Sequence, residues 1–212
     1  MKYELNLPAW KWPFYVTRHV VEGFEDVRWK KAYSARVALV IVLCFFLVTV
    51  AQNLLVGFLF KTNFERVFNI IPMFSVSIVM FFVWVVGNWS LCTLFDGEGN
   101  MKQIMCVSAY ALTPYIISQV VYVIASNVLI RSESGFLTFI SLIGIVWSIC
   151  LMFMAIKAVH QYSALKTLVA GAFTLVAMLI IFLVAILLLS LFQQVYIFGY
   201  SIYTELMYRF SM

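Results

Sequence analysis

Ser108, Ala111, Tyr115, Gln119, Tyr122 and Ser126 follow one another at spacings of three or four residues, so a helix would place them on one face. A row of hydroxyl and amide groups with no carboxylate or ammonium suits two tasks. One is a polar groove through the membrane for water, a small solute or a lipid headgroup. The other is hydrogen-bonded helix packing, with Asn88, Ser90 and Thr93 as partners. A second group surrounds the glycine-broken turn Asp96-Gly97-Glu98-Gly99. Its carboxylates suit a basic partner or the start of the next helix. Tyr110, Pro114, Lys157 and His160 join that turn as candidate partner-contacting residues. His160 has the chemistry of a general acid or base, yet no carboxylate stands beside it in sequence, and a polar loop residue is the plainer reading.

Other chemistries lack their residues. No H-x-x-x-H, G-x-S-x-G, glycine-rich phosphate loop or paired-carboxylate pattern is present. Cys44, Cys92, Cys106 and Cys150 form no C-x-x-C pair and lie in or beside apolar stretches, as small buried hydrophobes do. No metal, no cofactor and no enzymatic activity are expected.

The elements that carry these residues are set by five stretches free of Asp, Glu, Lys and Arg: 37–60, 67–95, 103–130, 134–156 and 167–204. Each exceeds the roughly 20 apolar residues a helix needs to cross the hydrocarbon. The chain is 65% hydrophobic and 11% charged, against about 25% charged in a soluble domain. The expected fold is all-α: a polytopic membrane protein with five transmembrane helices near 37–60, 70–94, 105–130, 136–156 and 168–192. Two readings of 101–112 stay open, the start of the third span or a re-entrant half-helix. Small residues Ser141, Gly144, Ser148 and Ala155 mark a close-packing seam on the fourth span.

The net charge of +5 is distributed by position. With the N-terminus in the cytoplasm, ten Lys/Arg fall inside (Lys2, Lys11, Arg18, Arg28, Lys30, Lys31, Arg36, Lys102, Lys157, Lys166). Four fall outside: Lys61, Arg66, Arg131 and Arg209. That bias orients the chain N-terminus in and C-terminus out, and makes the basic surplus a topology signal rather than a nucleic-acid footprint. No cleavable signal peptide is expected, since the first apolar run begins after residue 36.

Both ends are expected to form interfacial amphipathic helices. In 1–36, Val16, Val20, Phe24 and Val27 recur on one face beside Trp10, Trp12 and Trp29. The alternative is a helix capping the inner mouth of the bundle. In 193–212, Tyr196, Tyr200, Tyr203 and Tyr208 suit an aromatic belt on the outer face, flanking a 37–192 bundle.

Three segments resemble the Yip (Ypt/Rab-interacting protein) domain family in its prokaryotic branch. They are P-F-Y-V-T-R-H-V-V-E-G-F-E-D-V-R-W-K-K (13–31), N-W-S-L-C-T-L-F-D-G-E-G-N (88–100) leading to S-A-Y-A-L-T-P-Y (108–115), and V-H-Q-Y-S-A-L-K-T-L (159–168). The resemblance implies five helices with a cytosolic N-terminus, in a bacterial or archaeal cytoplasmic membrane (in a eukaryote, the Golgi or ER). Eukaryotic members bind prenylated Rab-type GTPases. Such binding is not expected here, because the long Pro/Gly/Gln-rich arm is missing and Asp96-Gly97-Glu98-Gly99 lacks the matching Gly-Pro.

Two functions follow as expectations. The first is a non-enzymatic membrane scaffold or accessory subunit of a membrane complex, a transport complex being one option, meeting another membrane protein or a second copy through Asp96, Gly97, Glu98, Gly99, Tyr110, Pro114, Lys157 and His160. The alternative is a lipid- or small-solute-handling protein whose polar groove comprises Ser108, Tyr115, Gln119, Tyr122, Ser126 and Asn88. Membrane lipids are partners in both, and nucleic acid in neither.

Overall fold

The computed structural model describes residues 7–61 and 68–210, which form helices and loops with no strand among them. Lys2 and Arg66 of the charge pattern, and the ends 1–6 and 211–212 of the terminal segments, lie outside the described residues.

Two short helices, α1 (Trp12–Arg18) and α2 (Gly23–Trp29), precede the first span. Val16, Phe24 and Val27 do share a face, and all three are fully buried. Their cover is protein: they belong to one core with Ala38, Ile104, Tyr110, Ala155 and Val159. Protein covers this apolar face, in two helices where one was expected, while Trp10, Phe14 and Trp29 stay exposed. The chain leaves helical geometry at His19 (φ −113°, ψ 72°), and α2 folds back on α1. A Cβ on Gly23 would stand 3.0 Å from the Val16 Cα, a tight contact that glycine avoids in the fold-back. Tyr15 completes it by donating to Asp26 Oδ2 at 2.8 Å. Burial, helped by that carboxylate, pushes the Tyr15 phenol up to about 12.

Five apolar passes follow, as the charge-free stretches require. The first is α3 (Ala35–Leu55), with Ser34 at its N-cap accepting from the Val37 N–H. The second, α4 (Ile70–Leu94), begins with Asn69 taking the Ile71 N–H at 3.0 Å. Pro72 sits in its first turn, where no donor is missed, and a π turn over Ser75–Val79 follows. The third pass is two helices, α5 (Met101–Ala111) and α6 (Thr113–Ser126), interrupted only at Leu112. Residues 101–112 are thus the first half of a pass. The fourth is α7 (Ser134–His160) and the fifth α8 (Ala164–Phe210). The third pass is the least apolar and the most buried, so polarity tracks distance from lipid.

The break in the third pass has a local cause and a local remedy. Pro114 has no N–H to give and its ring crowds the preceding turn. The helix opens there, parting the Tyr115 N–H from the Ala111 carbonyl. Ser148 of α7 bridges the gap: its hydroxyl accepts from Tyr115 N at 3.2 Å and donates to Ala111 O at 2.9 Å. One turn away, a Cβ on Gly144 would collide with the Ser118 side chain, so the small-residue seam sits against α6. At the far end, Gly57 donates its N–H to Ser126 Oγ at 3.0 Å and Asn127 Nδ2 donates to Leu55 O at 2.9 Å, tying α3 to α6.

The C-terminal segment departs from expectation. No helix begins at 193; α8 runs unbroken for 47 residues. Ser190-Leu191-Phe192-Gln193-Gln194 contains no Pro, Gly or cap that would stop a helix. Among the cysteines, Cys92 and Cys106 are buried as expected, whereas Cys150 is exposed on a lipid-side face.

Replacing Ser148 with Ala strands one carbonyl and one N–H in an apolar setting, a loss of about 1–3 kcal/mol. Thermal unfolding in detergent should show it, with Ser134→Ala as the unaffected comparison.

Candidate functional site

Three helices stop at the N-terminal end of the bundle, and each uses the same device. α2, α4 and α7 are each followed by a left-handed residue: Lys31 (φ 50°), Asp96 (φ 53°) and Gln161 (φ 55°). The next N–H then reaches back five residues: Ala32 to Val27 O, Gly97 to Cys92 O and Tyr162 to Lys157 O. This is the Schellman stop, made here without glycine at the left-handed position. The glycines of the 95–100 turn therefore serve space rather than backbone freedom. A Cβ on Gly97 would stand 2.6 Å from His160 Nδ1 and 2.9 Å from Cys92 Cβ, and one on Gly99 would strike Val159 and His160.

What fills that space is His160, the last residue of α7, 2% exposed. The Gly99 N–H points at its Nδ1 from 3.3 Å, so Nδ1 must accept. Nε2 then carries the proton and donates to Asn88 Oδ1 at 3.2 Å. That contact sets the amide of Asn88, whose Nδ2 donates to Thr174 Oγ1 at 3.2 Å. Thr174 in turn donates to Ala170 O at 2.8 Å. One directed chain of donors thus joins the 95–100 turn, α7, α4 and α8. Tyr162 stacks on the imidazole at 5.2 Å, its hydroxyl donating to Phe95 O at 3.2 Å. Burial raises the Tyr162 phenol, and the Lys166 ammonium lies 4.5 Å over its ring.

Arg28 closes the cluster from α2. Its Nη1 donates to Ala158 O at 2.8 Å and Val159 O at 3.1 Å, orphan carbonyls of the last turn of α7, and its Nη2 pairs with Glu98.

The candidate partner-contacting residues therefore divide. Gly99, Tyr110 and His160 are buried, and Gly97 and Lys157 half-buried. Tyr110 takes the Ser34 N–H and donates to Ala32 O, both at 3.3 Å, pinning the α2–α3 loop. Pro114 sits at the kink. Only Asp96 and Glu98 are exposed, and Glu98 is engaged by Arg28. His160 is no loop residue; its ring is sealed and both nitrogens are engaged.

The polar stripe divides too. Ser108 accepts from the Trp84 indole N–H at 3.3 Å, Ser126 serves Gly57, Asn88 serves His160, and Tyr115 sets its ring edge-on to Phe45. Gln119 and Tyr122 alone of the six line open space, a cavity of about 730 Å³ at the opposite end of the bundle. Gln119 is 2% exposed. Its Oε1 accepts from Gln52 Nε2, and its Nε2 donates to Ser141 Oγ at 3.0 Å. Gln52, Lys61 and Asn69 also line this cavity, as does Ser141. Their separation in sequence hid them, although their polarity inside or beside apolar stretches was a signal. Among the described residues, no three His, Cys, Asp or Glu side chains gather to hold a metal.

The turn, the capped entrance and the fourth-to-fifth connection are one structure built from the three segments noted in the sequence. The family model for the Yip1 domain matches residues 14–203. This chain belongs to the Yip1 domain family. The match spans α1 through most of α8, so the His160 cluster and the far-end cavity both lie inside the Yip1 domain. No curated protein and no solved structure matches the chain.

His160→Ala leaves the Gly99 N–H without a partner and Asn88 Oδ1 with only the weak Cys92 thiol at 3.7 Å, a loss of about 1–3 kcal/mol or more. The variant should unfold well below the parent in a detergent melt, whereas Lys157→Gln should track it. Equal melting of H160A and parent would show that the cluster does not hold the helix ends together.

Proposed function

We propose that this integral membrane protein is a non-enzymatic scaffold or accessory subunit, and that it meets another membrane protein along α8. The observation behind this reading is the uncovered length of that helix. Thr167, Ala170, Thr174 and Met178 bury one face of its first part against α4 and α7. From Leu183 to Phe210 every described side chain but Thr204 is exposed. At 1.5 Å per residue the 47-residue helix is about 70 Å long, against about 30 Å of hydrocarbon.

Lipid covers only part of such a helix. Beyond residue 192 it still presents Val195, Ile197, Phe198, Ile202 and Leu206 together with four tyrosines. Its charged pair, Glu205 and Arg209, is engaged with itself at 3.0 Å. An aromatic and aliphatic surface continuous with a membrane span suits a protein partner that is itself membrane-bound. The internal use of Gly97, Gly99, Tyr110 and His160 moves the partner surface from the turn to this helix. In the orientation that the Lys/Arg bias supports, with the N-terminus in the cytoplasm, the free end of α8 emerges outside.

A photo-crosslinker placed at Ile197, in native membranes, should give a defined adduct with a membrane protein. Removing 194–212 should reduce the native complex to the size of the chain in its micelle. An adduct of twice the chain mass would make the partner a second copy. A complex of unchanged size after the truncation would refute docking through α8.

A further inference from the structure

Neither the His160 cluster nor the α8 surface uses the far-end cavity. It lies between α3, α4, α6 and α7. Its polar wall is formed by Gln52, Asn69, Gln119, Tyr122 and Ser141, with Lys61 the one cation among the described lining residues. No carboxylate stands among them.

The hydrogen bonds already made leave this wall with donors to spare. Gln52 donates to Gln119 Oε1 and also bonds the Tyr115 phenol, while Gln119 donates to Ser141 Oγ and keeps its second N–H. Asn69 uses its Oδ1 to cap α4 and keeps both N–H groups. The Lys61 ammonium adds three more donors and the only formal charge. Such a wall matches a ligand rich in acceptors and carrying negative charge.

The remaining lining adds Asn53 and Thr138 and an apolar part that includes Leu54, Met73, Leu142 and Ile145. Gln119 stands seven residues before the end of α6, and Ser141 seven after the start of α7. Both are thus about 10 Å below the helix ends, where headgroup gives way to hydrocarbon. A volume of about 730 Å³ falls in the usual range of small-molecule sites.

We propose that this cavity binds the phosphate ester of a membrane lipid. Gln119, Asn69 and Lys61 donate to the phosphate oxygens, and the first acyl carbons lie along Leu142 and Ile145. The amphipathic lining favours a lipid over a free phosphate, because a soluble ion would leave the apolar wall unused. The inference is independent of any partner along α8.

The full-length chain, delipidated in maltoside detergent, would be titrated with dioleoylphosphatidylglycerol and followed by native mass spectrometry. Dioleoylglycerol, which has the same chains and no phosphate, and glycerol phosphate, which has no chains, serve as competitors. One retained phospholipid per chain, displaced by neither competitor, is expected. Lys61→Gln should weaken retention about tenfold, as loss of a charge-assisted hydrogen bond does. Gln119→Leu should weaken it further; if that variant unfolds, Tyr122→Phe and Lys61→Gln decide on their own. Equal retention by folded K61Q and Y122F would overturn the site. Dioleoylglycerol binding as well as the phospholipid would overturn phosphate recognition, and displacement by glycerol phosphate at equal affinity would overturn the lipid as its source.

Discussion

The Gly99 N–H aimed at His160 Nδ1 governs the N-terminal end of this bundle. A backbone donor cannot be turned round, so it fixes the tautomer of a sealed imidazole, and the imidazole fixes the amide of Asn88. Through Thr174 the same direction passes to α8. An apolar surround raises the cost of any misdirected partner, which is why four helix ends and a turn can be held by few bonds. Arg28 acts on the same place from outside, satisfying carbonyls that the end of α7 leaves bare. The left-handed Lys31, Asp96 and Gln161 show how firmly this end is determined, because each adopts a conformation that an L side chain resists.

The same constraint orders the interior. Lipid cannot satisfy a polar group, so each break in a helix must find its partner within the protein. Ser148 restores both groups parted at the Pro114 kink. Gln119 finds Gln52 and Ser141. The most polar pass is the most buried because only there do such partners exist, and the other four passes are more apolar and less buried.

Much of this was legible in the sequence, and for a physical reason. Charge-free runs longer than about 20 residues have few homes other than a bilayer, so the five passes could be placed from Asp, Glu, Lys and Arg alone. The 95–100 turn was equally plain. The role of its glycines was not, since Gly97 and Gly99 answer to His160, which lies more than sixty residues away. Arg28 entered the sequence reading only as one of the inside charges, because two of its partners are backbone carbonyls, which leave no mark in a sequence, and the third, Glu98, is seventy residues away. The stripe from Ser108 to Ser126 runs over two helices parted at Leu112, a break its regular spacing does not show. One face can meet several neighbours along its length, and here successive residues meet Trp84, Phe45, Gln52 and Gly57 in turn.

The two ends of the molecule consequently obey different rules. At the N-terminal end almost every donor has an acceptor, the turn is packed against an imidazole, and little surface chemistry remains. At the opposite end polar groups converge on open space, where the one formal charge among the described lining residues is the Lys61 ammonium. A fold that satisfies its buried groups so thoroughly at one end does not leave a donor-rich cavity at the other by lack of means, for Ser and Gln residues there are already bonded where they can be. The space remains because its walls, part amide and part aliphatic, complement an amphiphile better than they complement one another.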